Sequence, residues 1–345
     1  MKCLSKTSKN MKSNIQFMKK NKGKRIVAWL LILVCCFSLL TGCKAVGSYN
    51  IHEPLSISST VNLPIVRPAG MADENAVIPY DSYIYDDSNL EYEAGLLINE
   101  TKHSVVSAVN PHKRIYPASM TKILTGIVVM EAIESGQISM SDTVVVGKKI
   151  EFNEDNVAVL GLQPGDYITV EELMYGLLIS SYNDCAILLA RYISGSVSGF
   201  VDLMNSKAAQ LGATNSHFVN PHGLHDNNHY TTPYDLYLIF KEFLRHDKLV
   251  YIDSHSTYDL TMHREDEKLT IPLMATNAFL SNAFDMPTGY EITGWKTGTT
   301  EKAGSCIILE FVSQETNEAF ICLVSNAENH DALYQNVEDM LREIY

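Results

Sequence analysis

The 345-residue chain is 46% hydrophobic, enough to bury a substantial core in one or two domains. It carries 27 basic and 40 acidic residues, and nine of the basic ones lie within residues 1–43, so the remainder stands at 18 − 40 = −22. A balance of that sign argues against a nucleic-acid-binding role. Of the seven cysteines, Cys3, Cys35, Cys36 and Cys43 belong to the N-terminal segment. The others, Cys185, Cys306 and Cys322, stand inside apolar runs, which predicts buried thiols and no disulfide framework.

Residues 1–25 are basic and free of acids, and Ile26 to Leu40 form an uncharged apolar run, short for a membrane span and suited to a signal peptide. Leu40-Thr41-Gly42-Cys43 follows and resembles the lipobox of bacterial lipoproteins, which implies cleavage before Cys43 and lipidation of its sulfur. The alternative is an uncleaved anchor. Either places the rest of the chain on the outer face of the cytoplasmic membrane. Residues 44–89, with Pro54, Pro64, Pro68, Gly70 and several serines, read as a tether whose mean reach is about 35 Å. A folded domain is expected over 90–345.

Within it, Glu93 to Ile98 and Ser104 to Val109 predict a hairpin turning at Asn99 to Lys102. A helix is expected from Ser119 to Gly136, then a short strand at Thr143 to Val146 and a turn at Gln163 to Asp166. Thr169 is expected to cap a helix over Val170 to Leu178, with Glu171 and Glu172 in its first turn. Further helices are predicted at Asp184 to Ile193, Gly199 to Leu211 and Thr232 to Leu244. In the second of these Phe200, Leu203, Met204, Lys207 and Leu211 mark one face. Strands at Ser305 to Val312 and Ala319 to Ser325 and a helix at Asp331 to Ile344 close the chain. This order suggests an antiparallel sheet in which the first and last strands are neighbours, with helices on its faces.

Three short motifs carry chemistry. Ser119 and Lys122 open the apolar run Ile123 to Ile133, so a helix stacks them one turn apart in surroundings that disfavour a charged amine. Such a lysine can take the serine's proton, making Ser119 a nucleophile and Lys122 its base. Ser181-Tyr182-Asn183 sits between two predicted helices, and Lys296-Thr297-Gly298-Thr299 just before a predicted strand. The order S-x-x-K, S-x-N, K-T-G is that of the penicillin-binding proteins and serine β-lactamases.

Longer stretches extend the likeness. Gly199 to Gly212, Phe218 to Leu224, His229 to Thr232, and Gly294 to Thr300 followed by Ala303-Gly304 resemble the D-alanyl-D-alanine carboxypeptidases of the peptidase S11 family, the low-molecular-mass penicillin-binding proteins. The resemblance runs from about residue 90 to the C-terminus. It implies an α+β fold of the β-lactamase/transpeptidase type: a five-stranded antiparallel sheet flanked by helices, with an all-helical subdomain. Many family members continue into a second, all-β domain; here the lipid on Cys43 would serve for membrane attachment. Ser119 would form an acyl-enzyme, Lys122 act as base, Ser181 relay the proton, and Asn183 bind the substrate amide. Lys296, Thr297 and Thr299 would hold the free carboxylate, Gly298 would admit the substrate backbone, and the N–H groups of Ser119 and Thr299 would form the oxyanion hole. Tyr182 departs from the small residue common between the serine and asparagine and would narrow the channel.

The implied partners are peptidoglycan stem peptides and β-lactams, with no cofactor. His217, His222, His225 and His229 do not have the spacing of a zinc site, so no metal is expected. Three other readings compete: a D,D-endopeptidase, a β-lactam or wall-sensing module, and a class A-like β-lactamase. The last needs an activating glutamate after S-x-N. No E-x-x-L-N lies between Asn183 and Lys296, and the nearest glutamate, Glu242, falls in a predicted helix.

Overall fold

The computed structural model describes residues 75–79, 92–154, 156–285 and 288–344. The leader, Cys43 and most of the expected tether lie outside them. The chain enters its domain through the hairpin β1 (Ala94–Asn99) and β2 (Ser104–Val109), and a 3-10 turn at Ala118–Met120 leads directly into helix α1 (Thr121–Glu134). Strands β3 (Thr143–Val145) and β4 (Tyr167–Thr169) follow. A helical block comes next: α2 (Val170–Leu178), α3 (Asn183–Ser194), α4 (Val197–Gln210), α5 (Pro233–Leu244) and α6 (Asp247–Asp253). The chain ends with β5 (Thr257–Arg264), β6 (Glu267–Met274), β7 (Tyr290–Thr300), β8 (Gly304–Ser313), β9 (Ala319–Ala327) and α7 (His330–Arg342).

The main sheet is antiparallel in the order β2-β1-β9-β8-β7, so the first and last strands pair as expected, Leu96 opposite Leu323. Its central strands are apolar almost throughout because both faces are covered: every residue of β9 from Phe320 to Ser325 is buried, although successive side chains point to opposite faces. Helices α5 and α7 both pack on β9. Helix α1 has no polar face. Every residue from Thr121 to Met130 is buried, and α2, α3, α4, α5 and α6 all contact it. Thr169 caps α2 by accepting from Glu172 N, as its sequence predicts, and Gly136 follows α1 with φ +75°.

Four features differ from expectation. A second, four-stranded sheet, β3-β4-β5-β6, accompanies the main one. Lys296-Thr297-Gly298-Thr299 lies inside strand β7 and not ahead of a strand; Gly294 and Gly298 weaken its strand signal, yet β7 pairs with β8 from Tyr290 to Thr300. On α4, Phe200, Met204, Lys207 and Ala208 face inward while Leu203 is 43% exposed. The buried line runs i, i+4, i+8, and Leu203 falls beside it. Lys207 is buried through ion pairs with Glu131 and Glu242. Residues 75–79, within the stretch expected as tether, are seated on the domain: Ala76 and Ile78 are buried, and Ala76 N donates to Tyr237 Oη at 3.1 Å. The three cysteines among the described residues are buried free thiols.

The contrast on α4 is measurable. Phe200→Ala should cost about 3–5 kcal/mol of unfolding free energy, whereas Leu203→Ala should change it by no more than about 0.5 kcal/mol. Denaturant titration of both variants checks this, and equal losses would show that the helix is rotated from the orientation described.

Candidate active site

Ser119 sits in the 3-10 turn that precedes α1, and its backbone geometry is enforced from both sides. Ala118 has φ +47°, a left-handed conformation unusual for a residue with a Cβ. The turn is pressed between two glycines. A Cβ on Gly223 would lie 1.9 Å from Ala118 O, and one on Gly298 would lie 2.9 Å from Ser119 N. Gly223 also has φ +92°, so a glycine is required there on both counts.

Lys122 follows one helical turn later and is fully buried. Its Nζ lies 2.9 Å from Ser119 Oγ, 2.7 Å from Asn183 Oδ1 and 2.7 Å from the carbonyl oxygen of His222. Burial first, and then the positive charge of Lys296, hold its pKa well below the ordinary lysine value. A neutral amine has two N–H donors and one lone pair. Asn183 Oδ1 and the His222 carbonyl can only accept, so they take the two N–H bonds, and the lone pair is left for the Ser119 hydroxyl.

Two elements hold those acceptors in place. Asn183 is the first residue of α3. Asp184 beside it accepts from the N–H groups of Leu160, Gly161 and Leu162, at 2.9, 2.8 and 3.1 Å. The loop 220–224 is braced by Asn220, whose Oδ1 accepts from Gly223 N at 2.6 Å and whose Nδ2 donates to Leu224 O at 3.0 Å. Thr125 Oγ1 on α1 donates to Pro221 O at 2.7 Å. His229 Nδ1 accepts from Val219 N, so Nε2 carries the hydrogen and donates to Thr121 Oγ1 at 2.8 Å. Burial lowers the pKa of His229 to about 4, against an opposing pull from Asp226, and that of His222 to about 3, so both rings are neutral near pH 7. His217 Nδ1 faces Asn228 O, and His225 packs edge-on against Tyr116. The four histidines thus have separate partners.

Of the remaining expected residues, Thr299 shares a cleft lining with Ser119 and Asn183, whereas Ser181 and Lys296 do not line it. Ser181 has φ +60° and a buried Oγ with no hydrogen-bond partner. A left-handed backbone and a buried hydroxyl without a partner each cost free energy at this position. Lys296 is buried, donates to Thr297 O at 3.3 Å and lies over the Trp295 ring at 5.2 Å; its pKa is lowered to about 8 by burial, against an opposing pull from Asp253. Thr297 Oγ1 is 2.5 Å from Thr276 Oγ1 and does not line the cleft, whereas Thr299 does. Above Ser119 opens a cleft of about 590 Å³, also lined by Asn183, Glu154, Asn156, Glu301 and Lys302. Tyr182 packs against the core and does not line this cleft. Glu242 is occupied by Lys207 and also lies off it.

Sequence alone does not single out Asn220, the His222 carbonyl, Asp184 or Glu154. The first two lie in a stretch marked only by its resemblance, and a carbonyl has no sequence signature. Asp184 has a signal, an acid in the first turn of a helix, but nothing near it identifies its partners.

The family profile of D-alanyl-D-alanine carboxypeptidases matches residues 84–329. The chain is 35% identical over 226 residues to D-alanyl-D-alanine carboxypeptidase DacF of Bacillus subtilis, covering 64% of this chain and 54% of that one. It is 33% identical over 221 residues to DacC of Escherichia coli, covering 63% and 52%. The chain therefore spans about half the length of these curated relatives. Penicillin binding protein 5 from Haemophilus influenzae superposes with a TM-score of 0.66 at 26% identity, covering 75% of this chain and 72% of that structure. A mutant of the Streptomyces K15 DD-transpeptidase shares the fold, with a TM-score of 0.66 at 22% identity over 74% of this chain and 98% of its own. The sequence match extends across both sheets and all three motifs, and the chain belongs to the D-alanyl-D-alanine carboxypeptidase family, peptidase S11.

Proposed function

We propose that this protein is a serine D,D-carboxypeptidase that removes the terminal D-alanine from peptidoglycan stem peptides and is acylated by penicillins. The observation that carries the reading is the environment of Lys122: a dry amine with two of its three directions fixed by acceptors and the third pointed at Ser119 Oγ. In this reading Ser119 Oγ attacks the penultimate D-alanine carbonyl as its proton passes to Lys122. The new O–C bond gives a tetrahedral oxyanion facing the N–H groups of Ser119 and Thr299. Collapse breaks the C–N bond, and the departing D-alanine amine receives the proton through Ser181, whose unpartnered hydroxyl suits a relay. Water, activated by Lys122, then hydrolyses the ester.

Strand β7 ends the main sheet, so its outer edge can pair with an extended substrate. Lys296 and Thr299 would hold the terminal carboxylate, with Thr297 contributing once its hydroxyl turns from Thr276. Asn183 would accept from the substrate amide with Lys122 as its second partner. Residues 1–43 are proposed as a lipoprotein signal peptide, with Cys43 lipidated, 44–89 as a tether whose residues 75–79 lie on the domain, and 90–345 as the catalytic domain. This places the enzyme on the outer face of the cytoplasmic membrane.

The direct test incubates the detergent-solubilised protein with a peptide ending in D-Ala-D-Ala and follows D-alanine release beside fluorescent-penicillin labelling. Ser119→Ala should abolish both; D-alanine release at the parental rate would exclude Ser119 as nucleophile. Labelling without release would favour a sensing module, and rapid loss of label a β-lactamase.

The acylation rate should follow a bell in pH. It rises as Lys122 loses its proton, below the ordinary lysine range, and falls near pH 8 as Lys296 loses its charge. A flat profile between pH 6 and 9 would contradict these roles.

Gly298→Ala should displace the Ser119 N–H from the oxyanion position, because the added Cβ meets it at 2.9 Å. Labelling should slow by roughly 10²- to 10³-fold. A rate within a factor of two of the parent would show that this contact is not needed for acylation.

A further inference from the structure

The Ser181 hydroxyl is buried without a hydrogen-bond partner among the described residues, and its backbone is left-handed at φ +60°. No bond of its own orients that side chain, so its direction depends on how the backbone around it is held. On the C-terminal side the hold is made by main chain: Tyr182 N donates to Gly176 O at 3.0 Å and Asn183 N to Ala158 O at 2.9 Å. On the N-terminal side a side chain takes part. The Ser180 hydroxyl donates to Met274 O at 3.1 Å and accepts from Met274 N at 3.2 Å, so one oxygen closes on both backbone groups of one residue.

Met274 ends β6, the outer strand of the second sheet, where backbone groups on the open side have no strand to pair with. Ser180 takes the place of that strand for one residue. The seam continues next to it: Thr276 N donates to Ile179 O at 3.2 Å, and Thr276 Oγ1 lies 2.5 Å from Thr297 Oγ1 on β7. Residues 274–276 therefore join the segment that leads into Ser181 to the strand that carries Lys296. The bond to Ile179 is main chain and survives any side chain there, whereas the clip on Met274 needs a hydroxyl at position 180.

We propose that Ser180 is a positioning residue of the active site: its clip on the edge of β6 holds Ser181 in the left-handed conformation that presents the relay hydroxyl. Ser180 does not line the cleft, so it acts through its neighbour and not on the substrate. The inference rests on the carboxypeptidase reading for what the Ser181 hydroxyl does.

The main test is D-alanine release by the detergent-solubilised full chain. Ser180→Ala should lower kcat by roughly 10- to 100-fold, with KM within about a factor of two of the parent, and Ser180→Thr, which keeps the hydroxyl, should recover most of the loss. The double variant Ser180→Ala/Ser181→Ala should be no slower than Ser181→Ala alone, because a residue that acts through Ser181 has nothing left to position. A parental kcat in Ser180→Ala overturns the proposal, and so does a further tenfold fall in the double variant. Met274→Pro, tolerated on an outer strand, opens half of the clip from its other side. It should lower kcat by a smaller factor, and it decides the matter if Ser180→Ala does not fold, a parental kcat then overturning the proposal.

Hydrogen exchange read by mass spectrometry is independent of activity. In Ser180→Ala exchange over residues 179–183 should quicken several-fold, and in Ser180→Thr it should stay near the parent's. Parental exchange over that segment in Ser180→Ala overturns the proposal. A parent that takes up penicillin label but releases no D-alanine would sink the carboxypeptidase reading and leave the exchange test standing.

Discussion

An amine enclosed by protein on every side, as Lys122 is, loses several kcal/mol of hydration if it stays charged. The fold therefore has to supply either a counter-ion or enough hydrogen-bond partners for a neutral amine. It takes the second course, and the partners come from distant parts of the chain: Ser119 from the same turn, Asn183 from the head of α3, and the His222 carbonyl from the loop after α4. Much of the helical block serves this meeting. Helix α1 is apolar all round so that it can stand in the centre, and the segment 219–229 is stitched to it through Thr121 and Thr125.

Close approach around Ser119 comes at the cost of local strain. Ala118 and Ser181 both adopt left-handed backbone, each worth about 1–2 kcal/mol against folding. Neither is a glycine, although a glycine would relieve the cost. Next to them Gly223 and Gly298 let two backbones come within contact of the turn. The surrounding core, with Trp295, Tyr237, Phe240 and Phe311 fully buried, is large enough to sustain such a site.

Much of the main sheet and the helical block was legible because their periodicity is strong. The hairpin, the Thr169 cap and the pairing of first and last strands follow from patterns that burial dictates. The second sheet was not legible for two reasons. Strands β5 and β6 alternate weakly, with only Leu260, Met262 and Leu273 fully covered, so they carry little apolar signal. Their turn is Glu265-Asp266, both with positive φ, where an Asn-Gly or Asp-Gly pair would have marked a hairpin. At the site Ser119, Lys122, Asn183 and Thr299 were readable from three motifs, but the His222 carbonyl and the grip of Asp184 depend on contacts between segments far apart in sequence. The clip of Ser180 on β6 was hidden for the same reason: Ser180 and Met274 are 94 residues apart.

Asp184 has one more consequence. By accepting from three successive N–H groups of residues 160–162, while Asn183 N donates to Ala158 O in the cleft wall, it welds that wall to the helix that presents Asn183. Four hydrogen bonds thus fix residues 158–162 to the head of α3. In the carboxypeptidase reading, a substrate would meet this part of the cleft already formed, with less ordering cost on binding.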